Sequence, residues 1–375
     1  MNRGGFRLIR IGGIEVIVDY SWIIVLAIFA MVGSYYPEAR KSYTASQYWT
    51  MGAAAALLFF VSILIHELAH SFVAIKHGIR VTSIRLLIFG GLSQSTSEPR
   101  TGRHEFLIAL SGPAASLALG MCFLVVYASF YFSNPMHPTA RVAEFLAWAN
   151  ILLGGLNLIP GFPFDGGRIL RAFLWDRWDD MARATKIVSQ IGNGFALFLI
   201  AFGILQFLAT QSLVLGMLLI FLGLFMKHSA AGSYQAVVLR RTLSGVQVRQ
   251  VMAESVMPVD WLVSVSDFVQ DYIYKHKLTD FPVFNRDEFV GMATLDGVKT
   301  VTKELWGFKQ VRDIMTPAEM VACLKPADDV TEALSKMLSA DLEQMPVMED
   351  GRLIGIVSRR DIMGLFKIKS DLGVA

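Results

Sequence analysis

The chain of 375 residues is 54% hydrophobic and only 17% charged, with a mean hydropathy of +0.49, too apolar for an ordinary soluble enzyme and too long for one domain. A formal net charge of +3, with no basic stretch interleaved with aromatics, gives no sign of a nucleic-acid partner. Two cysteines, Cys122 and Cys323, make neither a disulfide framework nor a cysteine-based metal site, and both are expected to serve packing.

Residues 1–19 carry Arg3, Arg7 and Arg10 ahead of an alternating, strand-like segment at 14–18. The apolar stretch 22–36 follows with no small-residue cleavage site after it, so an uncleaved first span is expected, ending at Tyr35-Tyr36-Pro37. A second span is expected over residues 47–77, and its latter half holds His66-Glu67-Leu68-Ala69-His70. Ionisable groups inside a membrane helix cost about 3 kcal/mol each, so something must offset them. On a helix, residues i and i+4 share a face, which lets His66 and His70 hold one zinc ion and leaves Glu67 beside it as a general base. The competing reading is a pair of interior histidines satisfied by polar neighbours. The extended motif with a third histidine is absent, since Val73 and Lys76 occupy the required glycine and histidine positions.

Residues 79–97 are rich in β-branched side chains around Gly90-Gly91, which predicts a small β-hairpin turning at those glycines. Its edge, with Gly90 and Gly91, is a candidate for pairing with an unwound substrate peptide; the alternative is a hairpin that merely plugs the bundle. Four more spans are expected at 106–132, 142–159, 187–208 and 213–226, about six in all.

Between the fourth and fifth spans lies Asn157-Leu-Ile-Pro-Gly-Phe-Pro-Phe-Asp165-Gly-Gly-Arg168. Pro160 and Pro163 break the helix there, and unwound backbone at membrane depth is tolerated only where it lines a protected or wet cavity. Asp165 is therefore the candidate third metal ligand; the alternative is an ordinary turn with Asp165 capping the following helix. Lysines and arginines concentrate on one side, with Arg3, Arg7, Arg10, Lys76, Arg80, Arg85, Arg100, Arg103, Arg168, Arg171, Arg177, Arg183 and Lys186 against Arg40, Lys41 and Arg141 opposite. That asymmetry predicts a cell-membrane protein with its N-terminus and everything after Lys227 in the cytoplasm.

HELAH in a membrane span, followed by NLIPGFPFDGGRIL, resembles the site-2 protease family of intramembrane zinc metalloproteases, in the branch that bears CBS domains. The resemblance implies that His66, His70 and Asp165 bind one zinc ion, that Glu67 is the base, and that Asn157 lines the site near the substrate. The stretch Ser-Gly-Pro-Ala-Ala-Ser at 111–116 is similar to a family segment that often ends in asparagine, and Ser116 departs from it.

After a connector at 229–244, expected to be helical, the chain repeats itself. Val248-Arg-Gln-Val-Met returns as Val311-Arg-Asp-Ile-Met, Phe281-Pro-Val-Phe as Met345-Pro-Val-Met, and Gly291-Met-Ala-Thr as Gly355-Ile-Val-Ser, at a period of about sixty-four residues. The repeat resembles a tandem pair of CBS modules, over about 245–305 and 306–375, which makes 1–228 the membrane protease domain. The resemblance implies an adenosine nucleotide such as ATP or AMP at Ser358 and Asp361, and less completely at Thr294 and Asp296, where the acid comes one position early. The alternative is a platform for homodimerisation. The expected fold is thus an α-helical multi-span membrane protein with a small β-hairpin plus an α/β tandem CBS domain. The expected activity is zinc-dependent cleavage of transmembrane segments of signalling or regulatory proteins. Its rivals are a non-catalytic nucleotide sensor and a CBS-regulated transporter, the latter without the repeated halves a transporter should show.

Overall fold

Two glycines start the architecture. In a computed structural model, which describes residues 5–20, 22, 43–87, 90–95, 99–210 and 213–372, strand β1 (Gly5–Ile11) turns at Gly12-Gly13 into β2 (Ile14–Asp19). Both glycines have positive φ, +57° and +88°, and Ile11 pairs with Ile14, so the loop is a two-residue turn of the kind whose twist suits a hairpin. Strand β2 pairs in parallel with β3 (Val81–Leu87), and β3 antiparallel with β4 (Gly90–Ser95), giving one sheet in the order β1-β2-β3-β4. The expected hairpin is thus half of a larger sheet. Its glycines are not at the turn: Leu87 pairs with Gly90 and Leu86 with Gly91, so they open strand β4.

Among the described residues of the first compact unit, Met1–Val237, the remaining elements are helices. Helix α1 (Ala45–Lys76) begins with a capping box between Thr44 and Gln47 and ends at His77, where Gly78 takes φ +79°. Then come α2 (Gly102–Tyr131), α3 (Pro138–Asn157), α4 (Asp165–Trp178), α5 (Met181–Thr210) and α6 (Leu213–Leu243). Helices α1, α2, α5 and α6 are long and apolar enough to cross a membrane. Helix α3 is not among them, at 20 residues with an Arg141–Glu144 ion pair near its start. The expected first span lies outside the described residues except for Trp22. The expected sixth span runs on as helix to Leu243, because no proline interrupts residues 229–242.

Small residues set how closely these helices approach. A Cβ on Gly120 would lie 3.2 Å from Ala147 O, and one on Gly154 3.1 Å from Pro113 O, so α2 and α3 meet backbone to backbone. Asn150 of α3 is fully buried and donates to Ser62 Oγ of α1 at 3.1 Å. The sheet packs on the same bundle: Ile14, Val16, Ile84 and Leu86 are buried with Leu64 of α1 and Ile108 of α2. The two cysteines do not pack as expected. Both are exposed, Cys122 on the apolar outside of α2.

The second unit, Val238–Ala375, is built twice from one plan. Strands β5 (Val259–Asp260), β6 (Asp280–Asn285), β7 (Glu288–Thr294) and β8 (Thr316–Pro317) form one sheet, and β9 (Gln344–Glu349) and β10 (Arg352–Ser358) another. The hairpins β6-β7 and β9-β10 start at 280 and 344, a repeat of 64 residues. Each is followed by a helix capped by a hydroxyl: α7 (Leu295–Lys299) by Thr294, and α9 (Arg359–Asp371) by Ser358. Ahead of β9 stands helix α8 (Val330–Ala340), capped by Asp329; its counterpart in the first copy runs Val265–Asp267 and on as a π-helix, Phe268–Tyr274. Each copy has its own apolar core, around Phe268 and Phe281 in one and Met337 and Met345 in the other.

Candidate metal centre

His70 stands four positions after His66 on α1, so both rings leave the same face of the helix. That face meets α2 at Gly112, where an added Cβ would come within 2.2 Å of His70 Nε2 and 2.7 Å of His66 Nε2. Only a residue without a side chain lets the two imidazoles occupy that space. Asp165 arrives from α4. It is the first residue of that helix rather than its cap, which is Phe164 and makes no side-chain capping bond. Gly166 and Gly167 allow the preceding loop to fold back, since a Cβ on Gly166 would lie 2.3 Å from Leu158 O and one on Gly167 2.6 Å from the carbonyl carbon of Gly161.

The result is a buried triangle. Asp165 Oδ2 lies 3.2 Å from His66 Nε2 and 3.1 Å from His70 Nε2, and the two nitrogens are 3.2 Å apart. All three residues are less than a tenth exposed. Among the described residues, these form the group of potential ligands within 4.8 Å of one another.

The other ring nitrogens decide what the triangle contains. His70 Nδ1 is 2.7 Å from Ile108 O, and a carbonyl only accepts, so a neutral ring carries its proton on Nδ1 and keeps the lone pair on Nε2. Ser116 Oγ, 2.9 Å from His66 Nδ1, is placed to take that ring's proton in the same way. Two lone pairs and a carboxylate oxygen then face one another in a buried space, an arrangement that repels itself unless a cation is added. The separations of 3.1–3.2 Å also match the ligand-to-ligand edge, roughly 3.3 Å, of a tetrahedral site with donors at about 2.0–2.1 Å. The donor set therefore fits zinc, with three protein ligands and one position left for a reactant.

Glu67 follows His66 on α1 and is half-buried. Asn157 ends α3, where its amide donates to Leu153 O at 2.9 Å along its own helix. Gly90 and Gly91 lie in β4, an edge strand of the sheet. Gly112 and Ser116 were not anticipated as site residues. The signal for them was present, in that a run of small and hydroxyl residues inside an apolar helix marks a close approach of another element.

In the second unit, Ser358 and Asp361 form a reciprocal cap. Ser358 N donates to Asp361 Oδ2 at 3.0 Å and Asp361 N donates to Ser358 Oγ at 3.1 Å. Thr294 accepts from Gly297 N at 3.1 Å, and Asp296 pairs with Lys299 at 2.8 Å. Capping alone accounts for both hydroxyls. Burial, together with nearby Glu343 and Asp296, raises the carboxyl of Asp280 above its ordinary value despite the Thr279 hydroxyl and Arg359.

Two histidines from one HExxH helix and an aspartate from another segment make the kind of donor set that a metal-dependent hydrolase uses. The sequence profile of Peptidase family M50 matches residues 54–140 and 133–200, and that of the CBS domain matches residues 311–367. Rip3 of Mycobacterium tuberculosis is 32% identical over 98% of this chain and 94% of its own length. The zinc metalloprotease MJ0392 of Methanocaldococcus jannaschii is 31% identical over 98% of each chain. A solved structure of a site-2 protease from the same archaeon is 32% identical and covers 61% of this chain and 95% of its own, with a TM-score of 0.44. The chain belongs to peptidase family M50: it is a membrane zinc metalloprotease of the site-2 protease type that carries CBS domains.

Proposed function

We propose that this protease cleaves transmembrane segments of membrane-anchored signalling or regulatory proteins, with His66, His70 and Asp165 as the zinc ligands and Glu67 as the base. The observation that carries this reading is the convergence of three electron-pair donors in a buried triangle, with the other nitrogen of each imidazole already partnered. Bound there, zinc supplies Lewis acidity towards water and towards a carbonyl. Glu67 takes the proton of the attacking water and returns it to the departing amide nitrogen. Ile108 O and Ser116 hold the imidazoles in the tautomer that presents Nε2. Edge strand β4, with Gly90 and Gly91, receives the substrate as an added strand, and Asn157 lines the approach. The test is co-expression with a panel of epitope-tagged single-span membrane proteins, comparing the parent with Glu67→Gln. The expected result is a fragment formed by the parent only, with zinc retained in both; the same fragment from both proteins contradicts the role of Glu67.

The N-terminus and the CBS pair face the cytoplasm in this reading, supported by the excess of lysine and arginine on that side. The CBS pair regulates cleavage by binding an adenosine nucleotide or by dimerising. Support comes from the tandem repeat itself, whose hairpins and hydroxyl-capped helices recur at 64 residues. Titration of the full-length protein with ATP, ADP and AMP decides between the two modes: heat or a raised melting temperature supports the nucleotide, and neither, with a dimer in solution, supports the platform.

A further inference from the structure

Asp165 uses one oxygen in the triangle. The other, Oδ1, is 3.7 Å from Arg168 Nη1, one helical turn further along α4. Arg168 is not a simple interfacial cation. Its Nε lies 3.9 Å from Glu105 Oε1, and Glu105 is fully buried in the first turn of α2. Arg171 closes the other side, with Nε 3.1 Å and 3.2 Å from the two carboxylate oxygens of Glu105 and a further short contact from Nη2. Its guanidinium also sits 5.3 Å from the ring of Phe162 in the loop that leads to Asp165. The two helices touch here: a Cβ on Gly102 would lie 2.5 Å from Ala172 O and 3.0 Å from Asp176 N. Two carboxylates and two guanidiniums therefore balance in the seam between α2, which presents Gly112 and Ser116 to the histidines, and α4, which presents Asp165.

We infer that Arg168, fixed by the buried Glu105–Arg171 pair, reserves Oδ1 of Asp165 and so keeps this aspartate a one-oxygen metal ligand. The inference rests on the zinc reading of His66, His70 and Asp165. Its physical basis is competition: a carboxylate beside a metal can turn to give both oxygens, and a cation on the second oxygen opposes that turn. A one-oxygen aspartate keeps the site four-coordinate with a reactant in place, whereas a two-oxygen aspartate crowds the reactant with a fifth donor. Arg168 is thus a positioning residue acting through Asp165.

Cobalt(II) reports this directly, because its visible absorption is strong in a four-coordinate site and weak when coordination rises. The full-length protein in detergent, stripped by chelator, is titrated with cobalt(II) alone, comparing the parent with Arg168→Gln, Arg168→Lys and Glu105→Gln. The parent is expected to show the strong band, Arg168→Gln to lose most of its intensity with cobalt still bound, and Arg168→Lys to recover it. Glu105→Gln, which frees Arg168, is expected to weaken the band in the same sense, and carries the test should Arg168→Gln fail to fold. A parent-like spectrum in the folded Arg168→Gln protein, or in Glu105→Gln in its place, overturns the inference while leaving the zinc site standing. A parent that takes up neither cobalt nor zinc overturns the zinc reading as well.

Discussion

Gly112 separates what favours a helix from what favours the site. Replacing it by alanine removes the helical penalty of glycine, about 1 kcal/mol. The new methyl would nevertheless lie 2.2 Å from His70 Nε2, so a ring must leave the triangle. The expected outcome for Gly112→Ala is undiminished helical circular dichroism with zinc content falling to near zero. Ser116→Ala removes the partner of His66 Nδ1 and should raise the zinc dissociation constant about 10-fold, measured by competition with a chromophoric chelator. At this scale the sequence showed the ligand candidates, because HExxH spacing and a carboxylate between prolines and glycines are local patterns. It did not show Gly112 or Ser116 as partners of the imidazoles, because their role exists only once α2 lies against α1. Ser116 instead looked like a departure from the family segment.

Among the elements, helix α8 offers a test that is independent of the metal. Asp329 caps it, accepting from Thr331 N at 2.7 Å and from Gly245 N at 2.8 Å. Burial alone would raise its carboxyl, but the Thr331 hydroxyl and these amides hold it below the ordinary value. A carboxyl depressed in the fold stabilises above its unfolded value of about 4, and that contribution is lost as pH falls through the lower folded value. Asp329→Ala should therefore cost about 1 kcal/mol at neutral pH, seen as roughly fivefold faster hydrogen exchange at the amides of α8. The difference from the parent should shrink towards pH 3; a gap unchanged by acid would contradict the assignment. The hairpin β1-β2 is only half legible, since the segment at 14–18 alternates whereas 5–11 is interrupted by Leu8-Ile9. The parallel pairing of β2 with β3 was not legible, because it joins residues more than sixty positions apart. The turn of β3-β4 does not fall at Gly90 and Gly91, which resemble turn residues, because the register makes them the start of a strand.

In the molecule as a whole, membrane chemistry and the CBS repeat occupy separate compact units, divided at Val237–Val238. The repeat was readable because its two copies keep a spacing of 64 residues in hairpins and caps alike. What the second unit binds is less readable from sequence, since Ser358 and Asp361 cap a helix whether or not a ligand is present.

The measurement that bears most directly on the account is zinc bound per chain in the full-length protein, by elemental analysis after exhaustive dialysis, for the parent and for His66→Ala, His70→Ala and Asp165→Ala. One zinc ion per parent chain and loss of tight binding in each variant are expected. Full zinc occupancy in a folded Asp165→Ala protein would mean that α4 does not complete the site and that the triangle is a packing feature.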